Sequence, residues 1–145
     1  VIYLDTSAFV KLYFLEGGSE FVQNCVTSQD DPLPVWDVLE AEILNACRLK
    51  AFWGDITPAQ ADQQTALFEQ RLRRGQYHVA EVDRSALMSS FRFLSRQTPQ
   101  LGCRTMDILH VACALQLAPA RFLSYDDRQR ALATHAGLSV LPERT

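Results

Sequence analysis

Val1-Ile2-Tyr3-Leu4-Asp5-Thr6-Ser7 opens the chain, and Phe122-Leu123-Ser124-Tyr125-Asp126 repeats its logic near the other end. In each stretch an apolar run of strand character stops at, or just before, an aspartate. If both runs are parallel strands of one sheet, their carboxyl ends lie on the same edge, where open α/β sheets place their ligands. Two further acids, Glu42 and Asp107, sit where such a fold could aim them at the same pocket. Acids gathered in this way repel one another. A divalent cation is the usual remedy, and hard oxygen ligands favour magnesium or manganese.

Outward from the first run, Thr6 or Ser7 can cap a short helix to about Leu15, which Glu16-Gly17-Gly18-Ser19 ends. A second helix is expected from Ser19 to about Thr27, then a loop over Gln29–Pro32 and a short strand over Leu33–Trp36. Asp37 reads as the N-cap of a helix to about Trp53, and Thr57-Pro58 opens another to about Arg74. Tyr77–Val82 is expected as a strand, Asp83 as the cap of a helix to about Gln97, and Thr98–Gly102 as a loop. Thr105 begins a nearly all-apolar helix to Ala118. Beyond the Phe122–Ser124 strand, a helix over Asp126–His135 and a last strand over Leu138–Leu141 complete the chain. This alternation predicts an α/β fold, a parallel sheet with helices on both faces. No internal repeat or linker interrupts it, so residues 1–145 read as one domain.

The formal charge of −3 argues against a protein that coats nucleic acid non-specifically, although a metal-bearing acidic pocket is compatible with it. Lys11 and Lys50 are the only lysines, and the other basic residues are arginines, whose forked guanidinium suits phosphate. Cys25, Cys47, Cys103 and Cys113 contain no CxxC pair and have no histidine at zinc-finger spacing. Cys47 and Cys113 fall in apolar helical stretches and read as buried thiols of a reducing compartment. With no signal peptide and no apolar run near the ~20 residues of a membrane span, a cytoplasmic protein that does not enter membranes is expected.

Each acid also has a plain structural use. Asp5 can cap a helix, but the hydroxyls of Thr6 and Ser7 could do so instead and leave its carboxylate available. On a helical wheel Leu39, Ile43, Ala46 and Cys47 form an apolar stripe, and Glu40 and Glu42 both lie on its rims, so geometry does not choose between them. Asp107 can simply complement a helix dipole. Of Asp126 and Asp127, one is expected to cap the following helix. Ser124 is placed to hydrogen-bond a neighbouring carboxylate or a bound water. His78, His110 and His135 form no ligand set and read as structural. Arg71, Arg73 and Arg74 make a basic run at a helix end, which suits the dipole before it suits RNA.

Tyr3-Leu4-Asp5-Thr6-Ser7-Ala8-Phe9-Val10-Lys11-Leu12 resembles the opening of PIN-domain proteins, in particular the VapC-type toxins of bacterial toxin–antitoxin pairs. Leu39-Glu40-Ala41-Glu42-Ile43-Leu44-Asn45-Ala46 is similar to a second block of that family and selects Glu42 over Glu40. Arg104-Thr105-Met106-Asp107-Ile108-Leu109-His110-Val111-Ala112-Cys113-Ala114 is similar to a third. Phe122-Leu123-Ser124-Tyr125-Asp126, with Ala131 and Gly137-Leu138, is similar to the fourth, Ser124 standing where the family often has threonine.

The resemblance implies a single PIN-like domain, a twisted parallel sheet flanked by helices, acting as an endoribonuclease. Asp5, Glu42, Asp107 and Asp126 would be the catalytic and metal-binding residues for one or two Mg²⁺ or Mn²⁺ ions, with Thr6, Ser7 and Ser124 supporting them. The implied partners are RNA, a cognate antitoxin peptide and a second copy of the chain. The antitoxin groove would draw on Phe9, Leu12, Tyr13, Phe14 and Leu15, together with Phe52, Trp53 and Phe68. A housekeeping RNA-processing nuclease and a catalytically inactive PIN-like binding module are the alternatives. A haloacid-dehalogenase-like phosphatase also begins with an apolar strand and an aspartate, but needs a second acid where Ser7 stands.

Overall fold

The computed structural model describes residues 1–144. In chain order the elements are β1 (Ile2–Leu4), α1 (Thr6–Phe9), a 3₁₀ turn (Val10–Leu12), α2 (Ser19–Thr27), β2 (Leu33–Val35), α3 (Asp37–Phe52) and α4 (Pro58–Arg73). They continue with β3 (Tyr77–Val79), α5 (Arg84–Ser95), α6 (Thr98–Leu101), α7 (Thr105–Leu117), β4 (Arg121–Leu123), α8 (Asp127–His135) and β5 (Val140–Leu141). Every paired strand is parallel, as the strand–helix alternation predicts. Hydrogen bonding divides them into two ladders rather than one, β1-β4-β5 and β2-β3. Two compact units contain them: Val1–Ser7 with the chain from Glu81 on, and Ala8–Ala80.

In the first unit the two apolar runs meet. Leu4 lies level with Leu123, and the Asp5 N–H carries the ladder one rung further to the Leu123 carbonyl at 3.1 Å. The Tyr3 ring stacks on Phe122, centroids 5.3 Å apart, and its hydroxyl lies 2.7 Å from His110 Nδ1. His110 belongs to α7, which buries Ile108 and Val111–Ala114 as well as the histidine. A helix so evenly apolar has no wet face to present and must lie inside. The buried Arg130 donates to the Ser124 and Leu141 carbonyls, both at 2.8 Å, and to the Pro142 carbonyl at 2.6 Å. It thereby ties together carbonyls at the ends of β4 and β5, the Leu141 carbonyl also accepting the Ser124 N–H at 3.1 Å.

Several local expectations change here. Asp83 does cap α5, accepting the Ala86 N–H at 2.8 Å. Thr98–Leu101 is a single helical turn and not a loop. Proline is tolerated in a first turn because its missing N–H has no partner there anyway, and Gly102 then leaves the turn at φ 66°. Leu138 precedes β5, which starts at Val140.

In the second unit Leu33 pairs with Tyr77 and Val35 with Val79. Leu39, Ile43 and Cys47 are the buried stripe of α3, which packs on α4. Phe9, Tyr13, Phe68 and Tyr77 form an aromatic cluster with centroids 5.2 to 6.4 Å apart. Phe9 and Phe68 are therefore core, and not part of an open groove, whereas Tyr13, though largely buried, also lines a cleft beside Phe14 and Leu15. Asp37 is the first residue of α3 and makes no cap; Trp36 holds that position. Thr57 and Gln60 form a reciprocal capping box on α4. The first helix is shorter than expected, with a 3₁₀ turn following Phe9. The Arg71 guanidinium lies over the Tyr13 ring at 5.1 Å, so Arg73 and Arg74 are the exposed members of the basic run. Among the described residues no helix is long and apolar enough to cross a membrane.

Candidate functional site

Asp5 is the most deeply placed acid, 1% exposed at the carboxyl end of β1. Its Oδ1 accepts the Ser7 hydroxyl at 2.6 Å. Its Oδ2 accepts Gln129 Nε2 at 2.7 Å and the Ser124 hydroxyl. Neither serine is free to turn away. Ser7 Oγ receives the Tyr125 N–H at 2.9 Å, and Ser124 Oγ receives the Asp126 N–H at 3.1 Å. Each hydroxyl thus has its oxygen engaged by the backbone and its hydrogen aimed at the carboxylate. The result is a buried carboxyl group with fixed donors, the arrangement that makes such burial tolerable. Thr6 Oγ1 lies 3.4 Å from His110 Nε2, tying the start of α1 to α7.

Asp107 stands in the first turn of α7 and is 2% exposed. Its Oδ2 accepts the Arg104 backbone N–H at 2.8 Å, a donor that no helical carbonyl can satisfy. The same oxygen lies 3.4 Å from Arg104 Nε, and Arg104 Nη2 reaches Asp126 Oδ2 at 2.7 Å. One guanidinium therefore spans two of the predicted ligands, and hydrogen bonding to Asp107 raises its pKa above the ordinary arginine value. The other oxygen of Asp126 accepts the Gln129 N–H at 3.1 Å and caps α8. Asp127, the first residue of α8, is exposed and pairs with Arg144 at 2.5 Å, which lowers its pKa.

Gln129 and Arg104 carry the arrangement but have no assigned role in the sequence. A signal for Gln129 is present: Asp126-Asp127-Arg128-Gln129 has capping-box spacing. At that position a glutamine ordinarily turns back to its own helix; here it turns to Asp5. Glu42 belongs to the Ala8–Ala80 unit, on α3. Glu40 and Glu42 are both half-buried, so burial no more separates them than the helical wheel does. His78 and His135 are exposed, and His110 is buried in its contacts with Tyr3 and Thr6.

As the side chains stand, no three His, Cys, Asp or Glu residues among those described are grouped closely enough to hold a metal ion. The donor chemistry nevertheless suits a hard divalent cation, since Asp5, Asp107 and Asp126 offer only carboxylate oxygen. Asp107 and Asp126 already share one positive group, the Arg104 guanidinium, which stands in for a cation between them.

Comparison with known proteins agrees with this architecture. The family model for the PIN domain matches residues 2–134. The FitAcB structure from Neisseria gonorrhoeae superposes with a TM-score of 0.68 at 14% identity, over 97% of this chain and 96% of that one. VapC20 of Mycobacterium tuberculosis, a toxin that cleaves the sarcin–ricin loop, superposes with a TM-score of 0.67, also at 14% identity, over 95% and 96% of the two chains. At such identity the likeness is one of fold. No curated protein matches the sequence significantly.

Proposed function

Because this chain belongs to the PIN domain family, we propose that it is a metal-dependent endoribonuclease, the toxin of a toxin–antitoxin pair. The observation that carries this is the position of Asp5. It is a buried, rigidly oriented carboxylate at the end of β1, and the neighbouring parallel strand β4 leads to Asp126. Asp5, Asp107, Asp126 and, from the sequence block on α3, Glu42 would hold one or two Mg²⁺ or Mn²⁺ ions. When bound, such an ion supplies a water that loses its proton near neutral pH and a counter-charge for the departing oxygen. Ser7, Ser124 and Gln129 fix Asp5 in one orientation, as partners behind a ligand do. The products would be a 5′-phosphate and a 3′-hydroxyl, and no histidine base is required.

The partner surface is proposed on the Ala8–Ala80 unit. Leu15, Phe52 and Trp53 are exposed there, Leu15 almost completely. A cleft of about 490 Å³ lies beside Phe14, Leu15, Lys50 and Ile56. These features suit an apolar antitoxin segment laid in a groove. Association of two copies of the chain is part of the same reading.

The test is cleavage of total cellular RNA by the purified protein with Mn²⁺ or Mg²⁺, with chelator, and with Asp5→Asn as control. RNA bearing a sarcin–ricin-type loop is the first defined substrate to try, since the structurally similar VapC20 cuts that loop. Discrete fragments that need metal and vanish in the variant are expected. No cleavage, together with no gain in melting temperature on adding metal, would overturn the nuclease and favour a binding module.

A further inference from the structure

We propose that Arg104 is a built-in, displaceable cation: it holds Asp107 and Asp126 together in the metal-free protein and competes with the divalent ion for them. The proposal rests on the nuclease reading above. Asp107 Oδ2 and Asp126 Oδ2 both face the guanidinium, at 3.4 Å from Nε and 2.7 Å from Nη2. Take the guanidinium away, and two carboxylates lose their common counter-charge, which favours binding of another cation between them.

The geometry fits a group that can leave. The Arg104 side chain is 60% exposed and that of Asp126 is 28% exposed, so one end of the bridge is open to water. Exposed ion pairs of this kind are weakly held. Asp107 is different, being buried and also bonded to the Arg104 backbone N–H at 2.8 Å. That backbone bond persists when the side chain swings out, so Asp107 stays in place while its cation is exchanged. Lysine could not do the same, because only the forked guanidinium spans two carboxylates from one stem.

The experiment measures Mn²⁺ binding by electron paramagnetic resonance for the wild type, Arg104→Gln and Arg104→Lys. Arg144→Gln serves as control, since it removes a positive charge from the exposed pair with Asp127 and not from Asp107 or Asp126. Arg104→Gln should bind Mn²⁺ about two- to fivefold more tightly, the change expected when a weak, partly exposed ion pair no longer opposes binding. Its melting temperature without metal should fall, and its gain on adding Mn²⁺ should exceed that of the wild type. Arg104→Lys should lie between the two, and it decides the matter if Arg104→Gln does not fold. Mn²⁺ affinity unchanged or weakened in the Arg104 variants would overturn the proposal, as would an equal gain in Arg144→Gln. If no protein in the series binds Mn²⁺, the nuclease reading fails, and this inference with it.

Discussion

Gln129 Nε2 and Asp5 Oδ2 are 2.7 Å apart, a hydrogen bond between residues 124 positions distant in the chain. It fastens the first turn of α8 to the end of β1 and supplies the amide donor to a carboxylate otherwise held by two hydroxyls.

Replacing Gln129 with alanine should therefore lower stability by ~1.5–3 kcal/mol, the range for a hydrogen bond to a charged group. Urea denaturation of the purified variant measures this. Gln129→Glu should be worse than alanine at neutral pH, because it sets a second carboxylate against Asp5, and the difference should shrink as the pH is lowered. An alanine variant as stable as the wild type would show that the amide contributes nothing to holding the acid.

Asp5→Asn should remove cleavage yet leave a folded protein. The amide nitrogen can take the Oδ1 side, where Ser7 offers a hydroxyl oxygen as acceptor, while the amide oxygen keeps Gln129. Ser7 must then redirect its hydrogen, so a stability loss of ~1 kcal/mol is expected. Circular dichroism and thermal melting check the fold; RNA cleavage checks the chemistry. Retained cleavage would remove Asp5 from the site.

Burial does not tell Glu40 from Glu42, since both are half-buried on α3. Glu42→Gln should reduce cleavage by at least the ~10–100-fold that even indirect partners of a metal site cost. Glu40→Gln should be nearly silent. Equal losses would remove the preference for Glu42.

Burial pushes the Cys113 thiol up to about 12, despite an opposing hydrogen bond from Tyr3. The unfolded chain gives up this proton near the ordinary thiol value of ~8.5, while the folded chain retains it. Its contribution is fully present below that value and is lost as the pH rises toward about 12. Stability should thus fall between pH ~8.5 and ~11 by this route, and Cys113→Ala should flatten that part of the profile. Urea midpoints at several alkaline pH values make the comparison. At pH 8 iodoacetamide should label the partly exposed Cys25 well before Cys47, Cys103 or Cys113, which are buried.

The elements that position Asp5 were legible because their signals are local. An apolar run ending in aspartate is visible in Val1–Asp5 and again in Phe122–Asp126, and the two runs do pair as parallel neighbours. The evenly apolar Thr105–Ala118 stretch likewise announced a central helix. What periodicity cannot show is where a polar side chain turns once its helix is built. Gln129 sits at a spacing that ordinarily serves its own helix start, yet it serves Asp5. Arg104 precedes α7 and bridges to Asp126, 22 residues on. The division into two ladders was hidden for a related reason: strands of two or three residues are set by long-range pairing more than by their own composition. Pro99 concealed α6 because proline both breaks helices and begins them.

The donors that lodge the Asp5 carboxylate include Ser124 and Gln129, far along the chain from it. Synthesis runs from the other end, so a growing polypeptide carries Asp5 long before it has either donor. On the ribosome the acid must remain hydrated, and β1 has no β4 to lie against. Assembly of this pocket thereby waits until Ser124 and Gln129 have been synthesised. Stalled nascent chains ending before Ser124 should be open to protease within Val1–Ser7, and chains extended past Gln129 and clear of the exit tunnel should be protected. A hydrogen bond in the finished protein thus acts, during its making, as a record that residues 124 positions beyond Asp5 have been read.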